Sequence, residues 1–143
     1  MPLILQIEAT LLLGLATLLS AVIGLDREAR DSPAGLRTHM LVGLGSCVFT
    51  LLSFHAFPDS DPARVAAQVV TGIGFLGAGT ILQRKGDVRH LTTAASIWAT
   101  AAVGMAVGAG AWFLAITSTL IIWIVLRIVR LFEVEKRNSG NGH

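Results

Sequence analysis

The sequence predicts an all-α, polytopic integral membrane protein with about five transmembrane helices. Of its 143 residues, 53% are apolar and only 14% are charged, whereas a water-soluble domain carries about 25% charged residues. The apolar residues also fall into five continuous runs, each close to the roughly 20 residues that a helix needs to cross a bilayer. The predicted spans are Leu3–Leu25, Leu36–Phe57, Val65–Leu82, Leu91–Val107 and Trp112–Phe132.

The five spans differ in length and composition. The first, second and fifth are long and strongly apolar, whereas the third and fourth are short and rich in Gly and Ala, which leaves open whether they cross fully. Pro62 is placed to begin the third helix, because proline is favoured in the first turn. The segment Gly108–Gly110 predicts a tight hairpin before Trp112, whose indole suits the membrane interface.

The basic residues predict which end of the bundle faces the cytoplasm. All Lys and Arg residues except Arg64 lie near the end at which spans one, three and five finish and spans two and four begin. Cytoplasmic loops carry the excess of basic residues in membrane proteins, so we expect the N-terminus outside and the C-terminus in the cytoplasm. Residues 1–132 then form one transmembrane domain, and residues 133–143 a polar, disordered cytoplasmic tail.

The same pattern disfavours several classes of function. The sequence pI is about 9.3, but the basic residues flank apolar runs and form no clustered face for nucleic acid. The single Cys47 excludes an intramolecular disulfide and any CxxC motif. No basic residue precedes Arg27, so the first span lacks the features of a cleaved signal peptide and is expected to remain in the mature protein. We predict that the protein is not an enzyme.

A glycine-rich string in the third span matches the G-x-G-x-x-G pattern of dinucleotide-binding proteins. That fingerprint works only between a strand and the N-terminus of a helix, and here it falls inside a predicted membrane span. Small residues in such spans let helix backbones approach closely. The sequence therefore predicts helix packing at Gly72, Gly74, Gly77 and Gly79.

Small residues also recur at helical spacing in two other spans. They are Ala16, Ser20 and Gly24 in span one, and Gly104 and Gly108 in span four. Such faces pack either within one chain or between two chains, and internal packing is the default expectation. Besides the lipid bilayer, the predicted partner is a second copy of the same chain. We expect a homo-oligomer, with a dimer favoured.

Glu8 is the acidic residue that lies deepest in a predicted span, about 7 Å below its outer end at a rise of about 1.5 Å per residue. An intramembrane carboxylate points to a proton or cation site. The alternative, that Glu8 reaches interfacial water, stays open.

Polar residues concentrate where span one ends and where spans two and four begin, with a turn containing Pro33 and Gly35 between the first two. The predicted functional cluster on this inner face comprises Asp26, Arg27, Glu28, Arg37, Thr38, Thr92, Thr93 and Ser96. Asp26 and Glu28 are candidate ligands for Mg²⁺, with Arg37 holding the carboxylates and Arg27 reaching towards lipid phosphates. The alternative is a set of snorkelling anchors and helix caps.

Four ordered motifs include these residues. They are Gly24–Glu28 (GLDRE), Ala34–Thr38 (AGLRT), Ala67–Thr80 (AQVVTGIGFLGAGT) and Leu91–Trp98 (LTTAASIW). With the five-span pattern, they resemble the MgtC/SapB family of bacterial inner-membrane proteins over nearly all of residues 1–132. In that family a glycine often stands where this chain has His90, and the position of His39 is variable. Several members also carry a cytoplasmic C-terminal domain, and the expectation for this chain is the transmembrane domain alone.

The resemblance implies a role in adaptation to low magnesium, to acid stress or, in some pathogens, to survival inside host cells. One hypothesis is a non-enzymatic inner-membrane protein whose inner face modulates another membrane protein complex. The alternative is a small oligomeric transporter or channel for Mg²⁺ or another cation, for which rings of carboxylates or carbonyls along the path are expected. The resemblance implies no organic cofactor, and Mg²⁺ is the candidate ligand.

Overall fold

The computed structural model describes residues 2–57, 61–84 and 87–129, so the tail predicted for residues 133–143 lies outside the described residues. Its helices are α1 (Leu3–Glu28), α2 (Leu36–His55), α3 (Pro62–Thr80), α4 (Leu91–Gly108) and α5 (Trp112–Ile124), and a π-helical turn (Val125–Val129) continues α5. Each helix falls on one of the five apolar runs. The prediction of an all-α fold is therefore confirmed for the part of the chain that is described.

Two short antiparallel strands connect α3 to α4. Strand β1 (Leu82–Arg84) pairs with β2 (Asp87–Arg89), with Leu82 opposite Arg89. The sequence did not predict these strands, because three residues are too few to show the alternation that identifies a strand. His90 then begins α4 with a positive φ of 68°.

α4 is the central helix of the bundle and contacts α1, α2, α3 and α5. The most extensive contact between any two helices is that of α1 with α2, which are joined by a short turn. We call residues 26–39 the elbow: it comprises the end of α1, the turn and the start of α2. The elbow end of the bundle is the end where these residues meet the start of α4 and the end of α5.

Helix starts at the opposite end agree with the sequence. Pro62 occupies the first turn of α3, and the Asp61 side chain caps this helix by accepting a hydrogen bond of 2.9 Å from the backbone N–H of Ala63. Gly110, with φ of 77°, reverses the chain between α4 and α5. Glycine adopts this left-handed conformation readily because it has no Cβ. This explains the tight hairpin before Trp112.

Many large apolar side chains face outwards, and much of the interior consists of small or polar ones. Leu11 is 71% exposed and Phe75 is 81% exposed. The buried polar residues include Ser20, Ser46, Thr50, Ser53, Thr93, Ser96, Thr100 and Thr119. A protein surrounded by water has the reverse distribution, whereas small inward residues suit helices packed in lipid. Among the described residues, three helices, α1, α2 and α4, are long and apolar enough to cross a membrane.

Several buried hydroxyl groups are satisfied within their own helices. Thr50, Thr100 and Thr119 each donate a hydrogen bond of 2.8 Å to the carbonyl oxygen four residues earlier. This arrangement pairs a polar group without requiring a partner on another helix. It explains how polar side chains remain inside an otherwise apolar bundle.

Glycines allow α1, α2 and α4 to pack at close range. A methyl group added at Gly104 would overlap the carbonyl of Gly43, and one at Gly108 would lie 2.8 Å from the carbonyl oxygen of Cys47. A methyl group at Gly43 would in turn overlap the hydroxyl of Ser20. The small-residue faces of spans one and four therefore pack within one chain, as the default expectation had it.

The glycines of α3 are placed differently. Gly77 lies against α4, and a Cβ there would be 3.4 Å from the carbonyl oxygen of Ala94. Gly72, Gly74 and Gly79 are exposed, and a Cβ on any of them would meet no neighbouring atom within 4 Å among the described residues. Only one edge of α3 faces the bundle, so Gly77 packs within the chain, whereas the other three glycines have no such neighbour among the described residues. Packing against a second chain stays a prediction.

Candidate functional site

The Arg27 side chain points into the bundle from the end of α1. The residue is only 9% exposed, and its Nη2 donates hydrogen bonds of 3.1 Å to the hydroxyls of Ser32 and Thr93. These two hydroxyl oxygens are themselves 2.9 Å apart. One guanidinium therefore joins α1, the turn and α4. The expectation that Arg27 reaches out towards lipid phosphates is wrong, because the turn folds over its side chain.

His39 provides a second buried link at the elbow end. Its side chain is fully buried, with Nδ1 2.9 Å from the carbonyl oxygen of Gly35 and Nε2 3.0 Å from the hydroxyl oxygen of Ser96. The Ser96 hydroxyl is also 2.9 Å from the carbonyl oxygen of Thr93, to which it donates. The imidazole thus connects the start of α2 to α4, immediately beside the contacts of Arg27.

Glu28 caps the N-terminus of α2. Its Oε2 accepts a hydrogen bond of 2.8 Å from the backbone N–H of Leu36. The first N–H groups of a helix lack partners within the helix, and their partial positive charge favours a carboxylate. Gly35 makes this possible, because a Cβ at that position would overlap the Glu28 carboxylate. Asp31, with φ of 51°, reverses the chain between the two helices.

Asp26 forms an ion pair with Arg30, in the turn that follows α1. Its Oδ1 accepts a hydrogen bond of 2.7 Å from Arg30, and the two side chains are only 6% and 17% exposed. The other oxygen, Oδ2, is buried without a hydrogen-bond partner among the described residues. The sequence analysis expected Arg37 to hold Asp26. The structure shows that Arg30 does so instead. Arg30 follows Asp26 by one helical turn, the spacing at which side chains meet.

Arg37 and Thr38 lie on the outward side of α2. Both are exposed, and both line a groove between α2 and α3 together with apolar residues such as Leu41 and Ile73. Adjacent positions on a helix differ by about 100°, which separates them from the buried His39. Arg37 and Thr38 therefore lie at the same end of the bundle as Asp26 and Glu28, but they face α3.

The two predicted magnesium ligands have separate partners. Asp26 and Glu28 are two residues apart, which places them about 200° apart around α1. Asp26 pairs with Arg30, whereas Glu28 contacts the start of α2. In the described ranges, no group of three or more His, Cys, Asp or Glu side chains could hold a metal ion. Joint coordination of Mg²⁺ stays a prediction, and it requires at least one carboxylate to leave its present partner.

Of the remaining predicted residues, two are buried and two are exposed. Thr93 and Ser96 are buried in the polar network, whereas Thr92 is exposed. Glu8 is exposed on α1, eighteen residues and therefore about 27 Å from Asp26 along the helix. Its role as a proton or cation site stays a prediction.

The predicted functional cluster did not include three residues of the site, namely Arg30, Ser32 and His39. His39 had a signal in the sequence: it precedes Gly43 by four residues and Ser46 by seven, and all three are buried on one face of α2. Arg30 also had a signal, because it follows Asp26 by four residues, whereas Ser32 lies in a turn whose path was not predictable from periodicity.

A bundle with an apolar exterior, a small and polar interior, and a hydrogen-bonded polar network at one end defines an α-helical membrane protein. Within that class, the chain belongs to the MgtC family, whose family model matches residues 13–134. The resemblance drawn from the four motifs is thereby confirmed.

Three relatives illustrate the similarity. The chain is 45% identical over 141 residues to "Putative magnesium transporter YhiD" of Escherichia coli (strain K12), a match that covers 93% of this chain and 66% of the relative. It is 47% identical over 121 residues to "Protein MgtC" of Salmonella typhimurium (strain LT2), covering 85% and 49%. It is 42% identical over 138 residues to "Protein SapB" of Bacillus subtilis (strain 168), covering 85% and 60%.

The chain therefore spans about half to two thirds of the length of these relatives. No solved structure matches it.

Proposed function

We propose that this protein is a non-enzymatic, multi-pass protein of the bacterial inner membrane that modulates another membrane protein complex. In this proposal it supports adaptation to low magnesium, to acid stress or to life inside host cells. The observation that carries the proposal is the buried contact of Arg27 with Ser32 and Thr93. That contact fixes the shape of the elbow, which is the polar surface a partner would meet.

The energetics of the network favour a fixed docking surface over a moving pathway. Leaving a buried hydrogen-bonding group without its partner costs about 1–3 kcal/mol, so the elbow resists rearrangement. Transporters, in contrast, use broken helices and unwound backbone near the middle of the membrane to bind their ions. Within the described residues, α1, α2 and α4 are continuous across their spans.

A second candidate function is transport of Mg²⁺ or another cation by an oligomer. Two observations favour it: the Asp26 Oδ2 atom, which is buried without a partner among the described residues, and the name of the Escherichia coli relative. A buried acceptor without a donor costs about 1–3 kcal/mol. A bound cation would remove this cost.

Growth in low magnesium tests the first proposal. In a strain lacking the chromosomal copy, we expect Arg27→Lys to fail to restore growth, because an ammonium is more strongly hydrated than a guanidinium and costs more to bury beside the Ser32 and Thr93 hydroxyls. Arg64→Lys, which changes an exposed arginine at the opposite end, serves as the matched control and should restore growth. Equal growth of both variants, at equal amounts in the membrane, would contradict a function for the elbow.

Reconstitution into liposomes separates the two candidates. A magnesium-sensitive dye inside the vesicles should report no influx above that of empty vesicles if the protein is a modulator. Influx that the wild type supports and Asp26→Asn abolishes would instead establish the cation carrier.

A further inference from the structure

We propose that a pocket between α1 and α5 at the elbow end binds the phosphodiester headgroup of an anionic phospholipid. The cavity has a volume of about 470 Å³ and is lined by Val22, Leu25, Asp26, Ala29, Arg30, Trp123 and Arg127. It is distinct from the Arg27 network. The inference goes beyond the proposed function and does not depend on it.

The charges of the pocket match a phosphodiester. Arg30 lines it from the turn after α1 and Arg127 from the π-helical turn after α5, and Asp26 is the one carboxylate among its lining residues. The formal charge of the pocket is therefore +1, which one phosphodiester of charge −1 neutralises. Guanidinium groups bind phosphate oxygens with two parallel hydrogen bonds, so two arginines provide enough donors for both free oxygens.

Both guanidinium groups are positioned by neighbouring side chains. Asp26 accepts the hydrogen bond of 2.7 Å from Nη2 of Arg30, which fixes the orientation of that guanidinium. The Arg127 guanidinium carbon lies 5.1 Å from the centroid of the Trp123 ring, a cation–π distance. Asp26 is therefore a positioning residue, and the ligand contacts are assigned to the two arginines.

The backbone around Arg127 is a second indication of a site. Arg127 belongs to the π-helical turn Val125–Val129 that continues α5. Such turns are rare and occur frequently at functional sites, where they redirect a side chain. Here the turn carries an arginine that lines the same cavity as the end of α1.

The walls of the pocket favour a lipid over a free phosphate. Val22 is 40% exposed and Leu25 is 56% exposed, and both line the cavity beside the charged groups. Leu18, one turn before Val22 on α1, and Ile124, three residues before Arg127, are also exposed. A phospholipid would place its headgroup on the arginines and its acyl chains along these side chains. A free phosphate would leave the apolar walls uncovered.

Lipid retention on the purified full chain tests the proposal. The protein is loaded in mixed micelles with equal amounts of phosphatidylglycerol and phosphatidylcholine of the same acyl chains, and the retained lipids are counted by native mass spectrometry. We expect the wild type to retain phosphatidylglycerol roughly tenfold over phosphatidylcholine, as charge-assisted contacts to two arginines warrant. Arg127→Gln and Arg30→Gln should each bring this ratio close to one.

Arg89→Gln is the matched control, because it removes one exposed arginine from β2 outside the pocket. It should leave the ratio at the wild-type value. Arg127 is exposed, so its substitution disturbs no core packing, and gel filtration and far-UV circular dichroism verify the fold of every variant. If Arg30→Gln does not fold, the Arg127→Gln ratio decides alone.

Three results would overturn the proposal. The first is equal retention of the two lipids by the wild type, and the second is an unchanged preference in Arg127→Gln. The third is displacement of the bound lipid by soluble glycerophosphoglycerol as effectively as by phosphatidylglycerol, which would identify a free phosphodiester as the ligand. None of these results bears on the growth and flux experiments, so failure here leaves the proposed function standing.

Discussion

The guanidinium of Arg27 donates a hydrogen bond of 3.1 Å to the hydroxyl of Thr93, which is 66 residues further along the chain. The contact joins the end of the first helix to the start of the fourth, where both are buried. Arg27 belongs to the GLDRE motif and Thr93 to the LTTAASIW motif. Two of the motifs that mark the family are thus parts of one three-dimensional contact.

Thr93→Val should destabilise the protein, whereas Thr92→Val should not. Valine keeps the shape of threonine but removes the hydroxyl that accepts from Arg27, and a buried donor without its acceptor costs about 1–3 kcal/mol. Thr92 is the adjacent, exposed residue and provides the matched control. The measurement is thermal unfolding in detergent, followed by circular dichroism. Equal melting temperatures for the two variants would show that the Arg27–Thr93 contact carries no stability.

The helices of this fold were predictable, and the contacts of the elbow were not. The apolar runs located every helix because a bilayer imposes a minimum length on apolar segments. The sequence also identified Asp26, Arg27 and Glu28 as a polar group at the end of α1. Their individual partners depend on the direction of each side chain around the helix and on the path of the turn, and local composition encodes neither.

Arg27 illustrates this limit most clearly. A long basic side chain at the end of an apolar helix is commonly found reaching towards the lipid headgroups, and that expectation failed here. The side chain turns inward because Ser32 and Thr93 supply acceptors that a single-helix view of the sequence does not bring together.

Gly104→Ala should destabilise the bundle, and Gly72→Ala should not. A methyl group at Gly104 would overlap the backbone carbonyl of Gly43, and relieving that overlap requires helix movement that costs roughly 1–3 kcal/mol. Gly72 is exposed, with no neighbouring atom among the described residues within 4 Å of an added Cβ. Alanine there should raise helix stability by up to about 1 kcal/mol.

Thermal unfolding and the yield of folded protein in the membrane measure both glycine variants. A loss of yield for Gly72→Ala, with no change in the melting temperature of Gly104→Ala, would reverse the assignment of the two positions. If Gly72→Ala instead alters only the size of the assembly on gel filtration, Gly72 lies between two chains.

His90→Gly should stabilise the protein. His90 has a φ of 68°, and a residue with a Cβ pays roughly 1–2 kcal/mol in this left-handed region, whereas glycine does not. We expect the melting temperature to rise by roughly 2–5 °C.

The control for this prediction is the same substitution in a right-handed helical residue. His55→Gly, at the end of α2, should lower the melting temperature, because glycine loses more conformational entropy in a helix. A fall in melting temperature for His90→Gly would mean that the histidine side chain contributes more stability than the strained backbone costs.

The orientation of the protein in the membrane is a prediction that cysteine labelling can test directly. In a Cys47→Ala background, Ala109→Cys should react with a membrane-impermeant thiol reagent added to intact cells. Ala109 is exposed between α4 and α5, at the end of the bundle from which basic residues other than Arg64 are missing. Val88→Cys, exposed in β2 at the opposite end, should react only after the membrane has been opened.

The physical reason for this orientation is the retention of basic residues on the cytoplasmic side. The elbow would then face the cytoplasm, as would the pocket formed by Arg30 and Arg127. Two independent positions are needed, since one unreactive cysteine could be inaccessible for local reasons. Full permeabilisation supplies the total reactivity of each variant, against which labelling of intact cells is expressed. Labelling of Val88→Cys but not Ala109→Cys in intact cells would invert the orientation and place the elbow outside.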